Sequence, residues 1–216
     1  ASDPPEAHMA SLATFAYVMA ADRGVAEAAL VSVRYGSPTY NGQIIAGADT
    51  GISSLEDLEG KTFGRPDPLS TSGWIIPMLT LRAAGINPDS DMEVVDAGSH
   101  DAVVAAVYNG DVDAGACYVD ARSTIEDENP DVMEKVVVID VTEDIPNDGV
   151  QFHPSISQDM RNTIVNALLK IAGTEEGVEA LETAYSWTAL EKHGDEFYDP
   201  FRQVLQASGL DITELQ

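Results

Sequence analysis

Three small hydroxyl residues and a glycine stand together at Ser70-Thr71-Ser72-Gly73, within the run Asp67-Pro68-Leu69-Ser70-Thr71-Ser72-Gly73-Trp74. A strand-like segment, Lys61-Thr62-Phe63-Gly64, precedes the run, and the apolar helical segment Trp74-Ile75-Ile76-Pro77-Met78-Leu79-Thr80-Leu81 continues it. The hydroxyls therefore sit where a strand turns into a helix. The first backbone N–H groups of a helix have no internal acceptor, and the helix dipole adds partial positive charge there. Serine and threonine hydroxyls add further donors, so the corner is suited to cradle a tetrahedral oxyanion. One hydroxyl residue would be an ordinary N-cap; three in a row exceed what one cap requires.

Other polar residues fall at corners of the same kind, where open α/β sheets place their ligands. His100 follows a strand-like run in Gly98-Ser99-His100-Asp101, and Asp120 follows the run 112–119. Tyr40 stands in Ser37-Pro38-Thr39-Tyr40, and Asp148 in Ile145-Pro146-Asn147-Asp148-Gly149. Taken singly, His100 reads as an exposed helix-start residue, Asp120 as an N-cap, Asp148-Gly149 as a turn and Tyr40 as core. Their recurrence at strand ends favours a binding site. Ser70, His100 and Asp120 also supply the residue types of a hydrolytic triad. Against that reading, no Gly-x-Ser-x-Gly elbow is present, and the serine lies among other hydroxyls at a helix start. The four histidines, His8, His100, His153 and His193, lack metal-ligand spacing, and the single cysteine, Cys117, excludes an intrachain disulfide.

The elements that must position these residues alternate. Strands are expected at 28–33, 40–46, 61–64, 92–96, 112–119, 136–140 and 149–152, and helices at 12–21, 74–85, 101–109, 121–127, 157–172, 174–185 and 200–207. Alternation implies an α/β fold with parallel-type sheet covered on both faces. Residues 48–143 hold enough strands and helices for one lobe; residues 1–47 and 144–216 would form the other, with a cleft between them for a small molecule. Residues 1–7 read as a disordered lead or an added remnant, and His8-Met9-Ala10-Ser11 as a junction of foreign origin or a native segment. The 216 residues carry 11 Lys and Arg against 37 Asp and Glu, a formal net charge of −26. Nucleic acid and anionic membrane surfaces are poor partners for such a chain. The hydrophobic content of 44% marks a folded chain with a solvated acidic surface, as suits high salt and a halophilic source.

The segments Ser37-Pro38-Thr39-Tyr40, Gly51 to Phe63, Asp67 to Gly73, Gly98 to Ala102, Asn109 to Gly115 and Ile145 to Gly149, in that order, resemble the phosphate/phosphite/phosphonate family of ABC-transporter substrate-binding proteins. The resemblance implies an α/β, two-lobed type 2 periplasmic-binding fold that closes on an oxyanion without performing chemistry, cofactor or metal. It implies that Ser70, Thr71, Ser72, Tyr40 and His100 hold the phosphorus oxyanion. At Asp120 and Asp148 it implies carboxylates that meet a ligand ammonium, or, at Asp148, a protonated ligand oxygen. Two acids lean the expected ligand toward an aminoalkylphosphonate. The implied partners are a small phosphorus oxyanion and the membrane subunits of an ABC importer, the protein being a monomer in the periplasm or outside the cell, free or lipid-anchored. Family members carry a further segment ahead of the point where this chain starts, so lobe one is expected to be incomplete at its N-terminus and to expose sheet edges. A hydrolase using Ser70, His100 and Asp120, and a ligand-binding regulator on the same fold, are the alternatives.

Overall fold

The structure, a computed structural model, describes residues 7–208. In chain order, the first elements are β1 (Met9–Ala10), α1 (Thr14–Asp22), β2 (Glu27–Val33), β3 (Thr39–Tyr40), β4 (Gly42–Gly47) and β5 (Thr62–Arg65). They are followed by α2 (Ile76–Ala83), α3 (Pro88–Asp91), β6 (Glu93–Asp96), α4 (His100–Asn109), β7 (Ala114–Tyr118), α5 (Val132–Lys135) and β8 (Val136–Val141). The last are β9 (Ile145–Pro146), β10 (Gly149–Phe152), α6 (Gln158–Ala172), α7 (Glu175–Tyr185), β11 (Ala189–Glu191) and α8 (Asp199–Ala207). Among the described residues, one compact unit comprises those up to Tyr40 and from Pro146 onward, and the other comprises Asn41–Ile145.

The first unit is built on a four-stranded sheet of order β1-β10-β2-β11. Every pairing in it is antiparallel, with Val150 opposite Leu30 and Leu190 opposite Ser32. Alternation along the chain had implied parallel strands; here each strand is paired only with neighbours running the opposite way, and periodicity alone does not encode direction. Leu30, Val150, Phe152, Val165, Trp187 and Leu190 form its apolar core, against which Leu168, Leu169 and Leu181 of α6 and α7 pack. The sheet edges, β1 and β11, are 2 and 3 residues long, short enough to limit unwanted edge pairing. Met9 and Ala10, in the segment read from sequence as a foreign junction or native, pair with Phe152 and Gln151 as an edge strand. Of the lead read at 1–7, residues 1–6 lie outside the described residues.

The second unit holds a five-stranded mixed sheet of order β6-β5-β7-β4-β8. β5 runs parallel to β6 and β7, whereas β4 runs antiparallel to β7 and β8. The sequence had placed residues 42–47 in the other lobe, with the boundary at 48. β4 instead lies between β7 and β8, with Ile45 opposite both Gly115 and Val138, because a strand buried along its whole length, as β4 is, is most stable where both neighbours cover it. The expected strand at 40–46 is broken at Asn41, whose amide donates to the Thr142 carbonyl at 2.9 Å and to Asp144 at 3.0 Å. The core joins Ile45, Val136 and Cys117 of the sheet to Val103, Val104 and Val107 of α4. Burial makes Cys117 a small hydrophobe, with its thiol pushed up to about 12.

Ile45 is fully buried in β4, an interior strand of the sheet. Ile45→Ala is expected to destabilise the chain by about 2–5 kcal/mol, the range for emptying a packed core site, read from urea unfolding.

Candidate functional site

The hydroxyl corner is buried and tightly specified. β5 ends at Arg65, and a single π-helical turn, Thr71–Ile75, leads into α2. π-type turns are rare and recur at functional sites. Ser70, Thr71 and Ser72 are 9%, 2% and 2% exposed. Ser70 is the N-cap, its Oγ accepting the Gly73 N–H at 3.2 Å. Asp67 closes the preceding turn by accepting the Leu69 N–H at 2.8 Å. Two close approaches hold the corner: a Cβ on Gly73 would lie 2.4 Å from Cδ of Pro66, and one on Gly42 would lie 2.6 Å from the Ser72 carbonyl oxygen. Trp74 is buried against Phe63, with the Arg65 guanidinium 4.4 Å from its ring centroid, so it serves packing.

α4 brings His100 to this corner. Ser99 caps the helix by accepting the Ala102 N–H, and Gly110, at φ 76°, ends it. His100 Nδ1 accepts the backbone N–H of Tyr118 at 3.3 Å, and its Nε2 lies 3.5 Å from Ser70 Oγ. An Nδ1 that accepts carries no proton, so the hydrogen-bond network assigns the proton of the neutral ring to Nε2. Nε2–H then faces Ser70 Oγ as a donor. A hydroxyl oxygen that already accepts from Gly73 N–H and faces a second donor directs its own proton elsewhere, and so becomes an oriented donor for an anion. Burial lowers the His100 pKa, opposed by the nearby charges of Asp67 and Asp101, and the ring therefore favours its neutral form.

This arrangement does not assemble the hydrolytic triad held open from sequence. A triad histidine accepts from serine through Nε2 and donates through Nδ1–H to a carboxylate. Here both roles are reversed, and Asp120 is bonded elsewhere. Asp120 Oδ1 accepts from Gln43 Nε2 at 3.1 Å and from Arg122 Nε at 2.9 Å, while its Oδ2 accepts from Arg122 Nη2 at 2.7 Å. It also caps the short helix that follows, accepting the Arg122 N–H at 3.1 Å. Its hydrogen bond to Arg122 is the chief reason its pKa is lowered.

His100 and Tyr118 border a cavity of about 430 Å³ together with Pro66, Asp67, Ser99 and Thr124. No cluster of three or more His, Cys, Asp or Glu side chains able to hold a metal is present among the described residues.

Tyr40 and Asp148 belong to the first unit. Asn147 links their two segments: its N–H donates to the Pro38 carbonyl and its side-chain amide to the carbonyls of Ser32 and Ser37, at 2.9, 3.0 and 2.9 Å. Asp148 Oδ1 accepts from Ser32 Oγ at 3.1 Å and from the Arg34 guanidinium, and its Oδ2 accepts from Ser11 Oγ at 3.2 Å. Within the second unit, then, Ser70, Thr71, Ser72 and His100 come together, and Asp120 is occupied by its own arginine. Sequence reasoning missed Arg34, Arg122 and Gln43. The scarcity of basic residues, 11 against 37 acids, was the available signal, because an arginine two residues from a candidate carboxylate is conspicuous in such a chain.

Among known proteins, the model of the family described as ABC transporter, phosphonate, periplasmic substrate-binding protein matches residues 5–198. The chain is 27% identical over 173 residues to the Phosphonates-binding periplasmic protein of Escherichia coli, covering 78% of this chain and 51% of that protein. It is 35% identical over 121 residues to the Phosphate-import protein PhnD of Mycolicibacterium smegmatis, covering 51% of this chain and 38% of that one. The chain thus spans about half the length, or less, of these curated relatives. A binding protein component of an ABC phosphonate transporter from Pseudomonas aeruginosa superposes with a TM-score of 0.82 at 25% identity, over 94% of this chain and 69% of that one. PhnD1 from Prochlorococcus marinus, solved with methylphosphonate, shares the fold with a TM-score of 0.76 at 16% identity, over 93% of this chain and 78% of that one.

Two outcomes follow from the corner. A histidine pKa lowered on folding makes stability fall as pH drops through the ordinary histidine range near 6.5, because the unfolded chain then binds more protons than the folded one. His100→Gln should flatten that part of the stability–pH curve measured by thermal melts at a series of pH values. Gly73→Ala should destabilise by about 1–3 kcal/mol in chemical denaturation, the cost of overpacking against Pro66.

Proposed function

Because the chain belongs to the family of phosphonate ABC-transporter periplasmic substrate-binding proteins, we propose that it captures a small phosphorus oxyanion and hands it unchanged to the membrane subunits of an ABC importer. The observation that carries this reading is the corner at Ser70–Ser72, where His100 Nε2 lies 3.5 Å from a serine oxygen that already accepts the Gly73 N–H. Donors surround the position an oxyanion would take, and no side chain there is arranged to accept a proton from serine. Directed neutral donors recognise a tetrahedral oxyanion without burying a fixed countercharge. Within the first unit, Tyr40 and Asp148 are candidate ligand contacts on the family resemblance, and the protein acts as a monomer. Its place of work is the periplasm. The net charge of −26 fits surroundings of high ionic strength, as in a halophile.

Calorimetric titration with phosphate, phosphite, methylphosphonate and sulfate tests the reading. Saturable binding of a phosphorus oxyanion is expected, with the ligand recovered intact by phosphorus NMR. Ser70→Ala and His100→Gln should each weaken it by about 10-fold or more, as expected for losing a donor to an anion. Absence of saturable binding by any of the phosphorus ligands, or their cleavage, would overturn the proposal.

A further inference from the structure

Two aromatic residues are displayed to solvent at one place on the first unit, where the backbone is also strained. After β2 the chain reverses in a tight two-residue turn: Arg34 and Ser37 exchange backbone hydrogen bonds at 3.0 Å each, and between them Tyr35 and Gly36 have φ of 52° and 80°. Such a turn favours asparagine, aspartate or glycine at its first central position, because a bulky side chain crowds the backbone when φ is positive. Tyr35 holds that position and is 92% exposed, so packing within the chain does not offset the strain. Among the described residues, Ser186 is the one other non-glycine with positive φ, at 56° just past α7. The two places adjoin: Arg34 Nε donates to the Tyr185 carbonyl at 3.4 Å, and the Thr188 N–H donates to the Val33 carbonyl at 2.8 Å. Tyr185 is 59% exposed, and its ring centroid lies 5.0 Å from that of buried Trp187. Tyr35 and Tyr185 are the most exposed large apolar side chains among the described residues.

Strain retained at an exposed residue points to selection for display rather than for stability. Tyrosine offers a large, rigid, amphipathic contact with little rotamer entropy to lose, which is why it anchors protein–protein interfaces. The charge around the two rings sets the sign of the partner. α7 places Glu175, Glu179 and Glu182 at i+3 and i+4 spacing on the exposed stripe that Tyr185 continues, with Glu176 exposed beside them. Among the described residues, no salt bridge engages any of these four glutamates. Such a face repels an acidic second copy of this chain and an anionic lipid surface. A surface bearing arginine or lysine is attracted to it by the carboxylates and by cation–π contact with the rings. We infer that Tyr35, Tyr185 and the glutamate stripe of α7 form a docking face for a basic surface on the membrane subunits of the importer. The inference rests on the transport reading above; it adds which face of the first unit meets that partner and the charge the partner presents there.

Thermal melts test whether Tyr35 is kept for display. Tyr35→Asn should raise the melting temperature by about 2–4 °C, the shift expected when a strained position is relieved in a chain of this size. An unchanged or lowered melting temperature means that the tyrosine serves stability, and overturns the inference. Docking is read by surface plasmon resonance against the importer's membrane subunits in lipid nanodiscs, with empty nanodiscs as the lipid control. The unaltered chain should bind the subunits, and less tightly as salt rises. Tyr35→Asn combined with Tyr185→Ser should weaken binding by about 10-fold or more, while leaving methylphosphonate binding measured by calorimetry as it was. Glu179→Lys combined with Glu182→Lys should weaken docking and flatten its salt dependence. Docking unchanged by either double variant, or equal binding to empty nanodiscs, overturns the inference. A chain that binds methylphosphonate but not the membrane subunits overturns this inference and leaves the oxyanion reading standing; a chain that binds neither overturns both.

Discussion

Close approach of neighbouring chain at a few glycines sets where the hydroxyl corner and His100 of the second unit lie. A Cβ on Gly115 of β7 would stand 2.6 Å from Val103 Cγ1 and 2.8 Å from the Gly64 carbonyl oxygen, so α4 can settle onto β5 and β7 only because these positions are bare. α4 begins at His100, and its seating through Val103 brings the imidazole within hydrogen-bond reach of the Tyr118 N–H at the end of β7. Gly42 and Gly73 do the same for the helix start, admitting the Ser72 carbonyl to β4 and Pro66 to the hydroxyl corner. The site is thus a consequence of packing distance. A methyl group at any of these positions would move Ser70 and His100 relative to each other and disturb the 3.5 Å contact between them.

That polarity separates a binding corner from a catalytic one. Serine and histidine side by side invite a nucleophile reading, and residue types alone cannot refuse it. The decision belongs to the far nitrogen of the ring. Because Tyr118 N–H points at His100 Nδ1, the near nitrogen carries the proton, and the pair donates outward in place of drawing a proton from serine. A carboxylate in the place of that one backbone N–H would reverse the assignment.

Much of this was legible in the chain, for identifiable reasons. The hydroxyl corner before α2 and the helix at 101–109, bounded in the structure by Ser99 and Gly110, are written in residues with strong local preferences. β11, α3 and α5 were missed, being too short to show a period. Strand direction and the membership of β4 were misread because both depend on partners distant in sequence: Ile45 has the same apolar character whether its neighbours are parallel or antiparallel. The arginine partners of Asp120 and Asp148 escaped for a related reason. Arg122 is two residues from Asp120, but only the cap at 120–122 turns its guanidinium back onto the carboxylate.

The anion site proposed for a chain of net charge −26 looks contradictory until the length scales are separated. Exposed charges act through water and ions, and at about 0.1 M salt their influence fades over roughly 10 Å. A hydrogen-bond donor in a corner where Thr71 and Ser72 are 2% exposed acts at about 3 Å and in poorer solvent, where the same dipole is worth more. The surface therefore governs solubility and the rate at which an anion arrives, while the corner governs whether it stays. Arginine is spent accordingly. Arg34, Arg65, Arg82, Arg122, Arg161 and Arg202 are each tied to a carboxylate. With these six arginines committed to holding acids in place, the proposed recognition of an oxyanion at the corner would fall to neutral N–H and O–H groups, and salt that screens the surface would ease arrival without weakening the grip.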